Sequence, residues 1–164
     1  MTNQPEVLAL FGSQDGIASY AQLRAIGVSR HTIWRAQRRE AVVAILPRVY
    51  MLAGVELSFT ARCRAALLYL GPESYLCRKT AAALYGCRQM PRSNVHITVP
   101  IRAKIGPLPT WISVHWTSWR VDGDVVTRPD GLRLSSPLRT LFDLGEKLTQ
   151  FALGCVAEDL WHLK

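Results

Sequence analysis

The segment GVSRHTIWRAQRRE, residues 27–40, carries arginine, histidine and tryptophan side chains at helical spacing. At 100° per residue, His31, Arg35 and Arg38 lie on one side of such a helix. Ile33 lies on the opposite side, where it would face a core. Arginine can form paired hydrogen bonds with the edge of guanine or with phosphate, and a helix of this length fits the major groove of DNA. The chemistry that this spacing indicates is therefore nucleic-acid binding.

The charge around this segment favours DNA contact over the alternative, a basic face that is merely solvated. Between Tyr20 and Arg48 the chain holds six arginines and one acidic residue, Glu40. A solvated helix usually mixes both signs, so the imbalance points to a polyanionic partner. The whole chain of 164 residues has a net charge of +8, and the last third has no positive excess. We therefore expect any polyanion contact in the first hundred residues.

Two side chains near the basic helix have open interpretations. Arg30, Trp34 and Arg39 flank the basic side, and both arginines are candidates for DNA contact. Trp34 could cover the edge of a core or touch a sugar or a thymine methyl group. Arg48 follows Pro47 at the break between two short apolar runs. It could reach phosphate or the minor groove, or it could remain a surface charge on a turn.

Local signals place these residues in a winged helix-turn-helix. A first short helix is predicted to end at Gly12, a second to begin after Ser19, and the basic helix to begin after Ser29. Val28 and Ile33 occupy the two positions of a hydrophobic staple at that third start. The apolar runs that follow predict a hairpin whose turn lies at the proline. Helix-turn-helix followed by a hairpin is the winged-helix order.

The rest of the chain predicts a second domain, so the expected class is α+β. A winged helix-turn-helix domain over residues 1–55 would precede an α/β domain, a short sheet with packed helices, over residues 56–164. The segments VHITVP and WISVHWTS alternate as half-buried strands, with Trp116 on the inner face. No carboxylate or cysteine at ligand spacing accompanies His96 and His115, so both are interpreted as ordinary strand residues.

The segment SPLRTLFDL predicts a helix that begins with proline at its first position. We expect Leu138, Leu141 and Phe142 to face inward. Arg139 and Asp143 are spaced to form an ion pair on the helix or to tie it to the preceding strand. A last apolar stripe runs to the end of the chain. The surface that packs against it could be the core, a second copy of the chain, a toxin or a further domain.

Motifs for catalysis and metal binding are absent from the sequence. There is no nucleophile elbow, no zinc-protease motif, no glycine-rich phosphate loop and no acidic cluster of the kind that a nuclease uses for Mg²⁺. The cysteines lack zinc-site spacing and are expected to be buried and reduced; they are Cys63, Cys77, Cys87 and Cys155. We therefore expect no enzyme activity, no metal and no cofactor. Without a secretory signal or an apolar run long enough to span a bilayer, the expected location is cytoplasmic.

Three segments, GVSRHTI, RKTAAALYG and SPLRTLFDL, carry a resemblance to a known family. Together with the proline-containing hairpin and the VHITVP strand, their order resembles the AbiEi-type antitoxins of type IV toxin–antitoxin systems and related actinobacterial proteins. The resemblance covers about residues 5–160. Many related proteins continue into an endonuclease domain of the very-short-patch-repair type, which we do not expect in this chain.

The resemblance implies a winged-helix repressor that binds the DNA of its own operon, with a nucleotidyltransferase-type toxin as a further partner. By position, it assigns DNA contact to Ser29, Arg30, His31, Thr32, Trp34, Arg35 and Arg38, with Arg48 on the wing. Glu40 and Arg48 stand where relatives often have glycine, and Cys77 stands where a serine often caps the next helix.

Two other functions are compatible with the sequence. In the first, the chain is a protein-interaction module that holds a toxin or partner through residues 58–164 and does not bind DNA. In the second, it is the DNA-targeting fragment of a longer endonuclease-like protein.

Overall fold

The computed structural model of the chain describes residues 4–118 and 121–163. These residues form seven helices and eight strands, and the strands make two separate sheets, which confirms the predicted α+β class. The chain divides into two units, residues 1–71 and residues 72–164. Among the described residues, no helix has both the length and the apolar character needed to cross a bilayer.

The first unit contains four helices and a three-stranded sheet. Its elements are α1 (Gln4–Gly12), β1 (Ile17–Ser19), α2 (Tyr20–Ala25), α3 (Arg30–Arg38), β2 (Val42–Leu46), β3 (Val49–Leu52) and α4 (Phe59–Leu70). The sheet is antiparallel, with β3 between β1 and β2. Two successive helices followed by a hairpin form the winged helix-turn-helix that the sequence predicts.

Serine caps fix the start of both helices of the helix-turn-helix. The Ser19 hydroxyl accepts a hydrogen bond from the Gln22 amide at 3.2 Å, and the Gln22 side chain accepts one from the Ser19 amide at 2.9 Å. This is a complete capping box. At the start of α3, the Ser29 hydroxyl accepts from the Thr32 amide at 3.0 Å. Both predicted starts are confirmed.

The core of the first unit holds α3 by one side. Val28 and Ile33, the predicted staple, are each 4% exposed. They belong to a buried cluster with Phe11, Leu23 and Tyr50. Because Ile33 is fixed in this cluster, the opposite side of α3 faces solvent.

A two-residue turn, Pro47 and Arg48, joins β2 to β3, as the position of the proline predicts. Arg48 has φ 61°, and Glu40, just before β2, has φ 56°. Both backbones lie in the left-handed region that favours glycine. The two departures from the pattern of the resembled family therefore each place a strained residue beside the hairpin.

The fourth helix belongs to the first unit, because α4 packs on β1. The unit consequently ends at Gly71, later than the expected boundary between residues 55 and 56. Cys63, on the apolar stripe of α4, is buried as expected. Arg64 lies off that stripe and is nevertheless 7% exposed, with its Nε donating to Asp15 at 2.8 Å.

The second unit contains a mixed five-stranded sheet and three helices. Its elements are β4 (Tyr75–Leu76), α5 (Arg78–Leu84), β5 (Val95–Pro100), β6 (Ile112–Thr117), β7 (Val125–Thr127), β8 (Arg133–Ser135), α6 (Pro137–Gly145) and α7 (Gln150–Trp161). The strand order is β6, β5, β4, β8, β7. The β5–β6 and β4–β8 pairs are parallel, and the other two pairs are antiparallel.

The alternation predicted for the strands is correct for the inner residues of β5, but it fails at Thr98, which is 5% exposed although the pattern predicts it on the outer face, and at the end of β6. Val95, Ile97 and Val99 are fully buried. Trp116, expected on the inner face, is 57% exposed. Because β6 is an edge strand, a side chain near its end has no further strand or helix that must cover it.

The predicted inner face of α6 is wrong at Leu138 and Phe142, and correct at Leu141, which packs against the buried cluster that contains Leu144. Leu138 and Phe142 are 78% and 81% exposed, whereas Leu141 is half-buried. Thr140 and Leu144 are the residues of α6 that are buried. The helix is therefore rotated relative to the face that its largest apolar side chains predict.

Polar contacts explain this rotation of α6. Arg139 donates to Asp143 at 2.8 Å and to Asp124 at 2.8 Å, so its guanidinium is paired on two sides. Thr140 and Ser135 share a buried hydrogen bond of 2.7 Å between their hydroxyls. The predicted pair between Arg139 and Asp143 is confirmed, and these contacts give the polar groups on the inner side of α6 their hydrogen-bond partners.

Candidate nucleic-acid interface

The exposed side of α3 is the cationic surface that the sequence predicts. The candidate residues at the surface are Ser29, Arg30, His31, Trp34, Arg35, Arg38, Arg39 and Arg48, and Thr32 is half-buried. Eight of these nine residues lie in α3 or are its caps, and only Arg48 lies elsewhere, so most of them share one surface. The core contact of Ile33 on the opposite side fixes how this surface is presented.

Trp34 lies on this surface and does not cover the core. Its side chain is 53% exposed. The His31 ring stacks on it with centroids 5.8 Å apart and an angle of 21° between the planes. The Arg38 guanidinium lies over the indole, 5.4 Å from its centroid. These contacts hold three polar or amphipathic side chains of α3 in one ordered group.

Ser29 and Thr32 are placed by the cap of α3. Their hydroxyl oxygens lie 2.9 Å apart, and the Ser29 hydroxyl also accepts from the Thr32 amide. Both hydroxyls are thus involved in the start of the helix. Any contact of these two residues with a ligand would be made from a position that the cap has already fixed.

The arginines of α3 differ from those of the second unit in their partners. Within the described residues, no ion pair engages an arginine of α3 or Arg48. In the second unit, Arg102 pairs with Glu73 at 3.0 Å. Arg88 there pairs with Asp159 at 2.8 Å. No carboxylate of residues 4–118 and 121–163 therefore neutralises the positive charge on α3.

The hairpin turn brings a further cation to the same unit and orders it. The carbonyl of Arg48 accepts a hydrogen bond from the Tyr20 amide at 2.7 Å. The Arg48 guanidinium lies 6.0 Å from the centroid of the Tyr20 ring. The strained turn is thus held to the start of α2 through both the backbone and the side chain of one residue.

A cleft of about 390 Å³ lies between α3 and the hairpin. Its lining residues are Tyr20, Arg30, Ile33, Trp34, Gln37, Arg48 and Tyr50. Gln37 shares the helix side of Ile33, yet it is exposed and faces this opening. Sequence reasoning missed Gln37, Tyr20 and Tyr50 as candidate site residues, because the cleft depends on how the hairpin packs beside α3.

The two strand histidines contact each other in the second unit. Nδ1 of His96 lies 3.1 Å from Nε2 of His115, and the rings are stacked. Burial, followed by the charges of Arg78 and His96, lowers the pKa of His115 to about 4. Burial also lowers the pKa of His96. Among the described residues, no group of three metal-binding side chains includes this pair.

The cysteines are free thiols, and three of them are buried. Cys63, Cys77 and Cys87 are buried, and Cys155 is half-buried. Burial raises the pKa of Cys77 to about 12 and that of Cys87 to about 11, which keeps both thiols protonated and unreactive at neutral pH. Cys77 precedes α5 without a capping side-chain hydrogen bond.

Four large apolar side chains of the second unit are exposed. The exposed fractions are 78% for Leu138, 81% for Phe142, 82% for Phe151 and 85% for Trp161. They belong to α6 and α7. Where such side chains form a contiguous patch, the patch is typical of surfaces that bind another protein.

Comparison with known proteins supports the fold alone. No protein-family model and no curated protein matches this chain. The structure is similar to the crystal structure of the RV2827C protein from Mycobacterium tuberculosis, with a TM-score of 0.57 and 15% sequence identity. The match covers 95% of this chain and 72% of that chain. At this identity the similarity shows a shared α+β architecture and gives no information about function.

Proposed function

We propose that this chain is a cytoplasmic DNA-binding protein that acts as a transcriptional repressor of the AbiEi antitoxin type. In this proposal, α3 enters the major groove of its operator, and Arg48 on the hairpin contacts the DNA backbone. The chain acts by occupying DNA and catalyses no reaction. A nucleotidyltransferase-type toxin encoded in the same operon is the proposed second partner.

One observation supports this proposal most strongly: the exposed arginines of α3 have no carboxylate partner within the described residues. Unpaired guanidinium groups on one helix face repel one another, and a polyanion would relieve that repulsion. The winged helix-turn-helix arrangement presents such a helix to the major groove. The two features together favour DNA over other polyanions.

The residues of α3 divide into two chemical roles. Arg35 and Arg38, on the side opposite Ile33, are placed to form paired hydrogen bonds with guanine edges. Contacts with phosphate would supply most of the affinity and would be the same for every sequence. Trp34 holds Arg38 over its ring and offers an apolar edge to a sugar or a thymine methyl group.

The test is a titration of labelled duplexes by fluorescence anisotropy. The duplexes are the region upstream of the protein's own gene and a scrambled duplex of equal length, each at several salt concentrations. We expect tighter binding to the upstream region and a steep loss of affinity with salt. Arg35→Ala should cost about 1–3 kcal/mol on the specific duplex and reduce the preference for it.

A matched control uses Arg102→Gln, which removes one positive charge from the second unit, where the side chain is already paired with Glu73. Its affinity and preference should equal those of the wild type. Binding that is insensitive to salt, or an Arg35→Ala variant with unchanged affinity and preference, would contradict the proposal.

The exposed apolar side chains of α6 and α7 favour a second candidate function, the binding of a protein partner. Phe142 and Phe151 are more than four-fifths exposed, and neither is explained by the packing of its own unit. The partner favoured by the resemblance is the toxin of the same operon. This activity can coexist with DNA binding, since it uses the other unit of the chain.

Co-expression with the neighbouring gene product tests this second function. The partner should co-purify with the wild type, and Phe142→Gln together with Phe151→Gln should abolish the association while DNA affinity stays unchanged. If the protein co-purifies with the neighbour but binds neither duplex, the interaction module is the correct function and the repressor is not.

A further inference from the structure

The cleft between α3 and the hairpin has the composition of a site for one sugar–phosphate unit. Arg30 on α3 and Arg48 on the turn both line it, and Gln37 contributes a side-chain amide. Its remaining lining is aromatic or apolar, with Trp34 and Tyr50 among the residues. Cations can bind a phosphodiester, while aromatic surface suits the deoxyribose.

The size and the charge of the cleft agree with such a ligand. Its volume of about 390 Å³ is far larger than the roughly 30 Å³ that one water molecule occupies in the liquid. Within the described part of the chain, no acidic side chain lines it. A phosphate entering the cleft would therefore meet donors and cations without a like charge.

Tyr20 orders Arg48 in the unbound protein. Its amide donates to the Arg48 carbonyl at 2.7 Å, and its ring lies under the guanidinium at 6.0 Å. Arg48 has a left-handed backbone, with φ 61°, which is a conformation that favours glycine. A side chain that is ordered before binding loses less conformational entropy when it binds.

We propose that Arg30 and Arg48 clamp a single backbone phosphate of the DNA in this cleft, and that Tyr20 is the positioning residue for Arg48. This inference rests on the proposed function and deepens it. Arg30 and Arg48 give affinity without sequence preference, whereas Arg35 and Arg38 read the bases. Gln37 and Tyr50 line the site without providing its charge.

The salt dependence of binding tests the clamp on specific and scrambled duplexes. Arg30→Gln and Arg48→Asn should each weaken binding to both duplexes by the same factor, roughly tenfold. Asparagine is chosen at position 48 because it tolerates the left-handed backbone. The double variant should lower the slope of log affinity against log salt by about 0.9, the value for one phosphate.

Other outcomes of this measurement overturn the clamp. A slope lowered by about 1.8 in the double variant would mean two separate phosphates. An unchanged slope would mean that neither arginine contacts phosphate, and a change in sequence preference would make them base readers. Arg102→Gln is the matched loss of charge and should leave the slope unchanged.

A double-mutant cycle tests the role of Tyr20. Tyr20→Leu removes the ring and should weaken DNA binding about two- to fivefold, the range for an exposed cation–π contact. Tyr20→Phe keeps the ring and should bind like the wild type. In the Arg48→Asn background, Tyr20→Leu should have no further effect on affinity, although any loss of stability would remain. An equal effect in both backgrounds would overturn the positioning role.

The two levels of inference fail in different ways. If the wild type binds no duplex in a salt-dependent manner, the proposed function is wrong and the clamp falls with it. If the wild type binds its upstream DNA but the double variant keeps the full salt slope, only the clamp is wrong.

Discussion

Asp15 and Arg64 form an ion pair that joins the turn before β1 to α4, with Oδ2 and Nε 2.8 Å apart. The guanidinium side is buried, at 8% side-chain exposure, and the carboxylate is 34% exposed. Asp15 has a left-handed backbone, with φ 54°. The pair thus connects the winged-helix sheet to a helix that follows it along the chain.

Asp15→Asn is expected to destabilise the first unit, because it removes the negative charge that pairs with the buried guanidinium of Arg64. Asparagine keeps the left-handed turn, so the effect isolates the charge. We expect a loss of about 2 kcal/mol, less than for a fully buried pair since the carboxylate is partly solvated. Arg64→Met, which replaces the cation by an apolar chain, should cost less.

Urea unfolding followed by NMR of fluorine-labelled tryptophan measures this loss, because Trp34 is the sole tryptophan of residues 1–71 and reports on that unit. An Asp15→Asn protein whose Trp34 signal unfolds at the wild-type urea concentration would show that the pair contributes nothing.

Glu40→Gly is expected to stabilise the protein. Glycine adopts φ 56° without a steric penalty, and this relief exceeds the extra chain entropy that glycine loses on folding. The net gain should be about 0.5 kcal/mol, seen as a rise in the melting temperature of the first unit. Glu40→Ala removes the same carboxylate and retains a Cβ, so it should give no gain. A melting temperature that rises equally in both variants would assign the effect to charge instead of backbone strain.

The rotation of α6 predicts that substitutions at two neighbouring apolar residues change stability by very different amounts. Phe142→Gln should change the free energy of unfolding by less than about 0.5 kcal/mol, since the side chain is 81% exposed. Leu144→Ala should cost about 2–5 kcal/mol, since Leu144 is 1% exposed. Urea denaturation of the two variants distinguishes this arrangement from the face that the sequence predicts, for which the larger loss would occur at Phe142.

His115 makes the second unit less stable in weak acid. Its pKa is lowered to about 4 in the folded protein, first by burial and then by nearby cations, against an ordinary value of 6.5. The unfolded chain therefore binds a proton between these values that the folded chain does not, and stability falls as the pH decreases from about 6.5 toward 4. We expect a lower melting temperature at pH 5 than at pH 7.

His115→Asn should reduce this difference between pH 5 and pH 7. His162→Asn, which changes an exposed histidine after α7, is the control and should retain it. Should His115→Asn show the full wild-type difference in melting temperature, other groups would be responsible for the acid sensitivity.

The parts of the fold that the sequence predicts are those decided by neighbouring residues. The Ser19 and Ser29 caps and the turn at Pro47 are local, and each is found where it is expected. The exposure of the basic side of α3 follows from a single anchor, Ile33. Each of these features is determined by a few residues that are close together in the sequence.

The features that were not predicted depend on partners far apart in the chain. The orientation of α6 is set in part by the contact of Arg139 with Asp124, and the apolar pattern of the helix alone does not contain that contact. The cleft beside α3 requires Tyr20 from one helix and Arg48 from a turn to meet. The local spacing of residues does not predict either contact, although the sequence does show the residues that make them.

The inclusion of α4 in the first unit determines where the chain can be cut. A fragment that ends at residue 55 would lose the helix that packs on β1, and Asp15 would lose its ion-pair partner Arg64. Apolar surface that α4 now covers would become open to water, a condition that favours aggregation. The shortest fragment suited to isolated binding or crystallisation with an oligonucleotide is therefore residues 1–71.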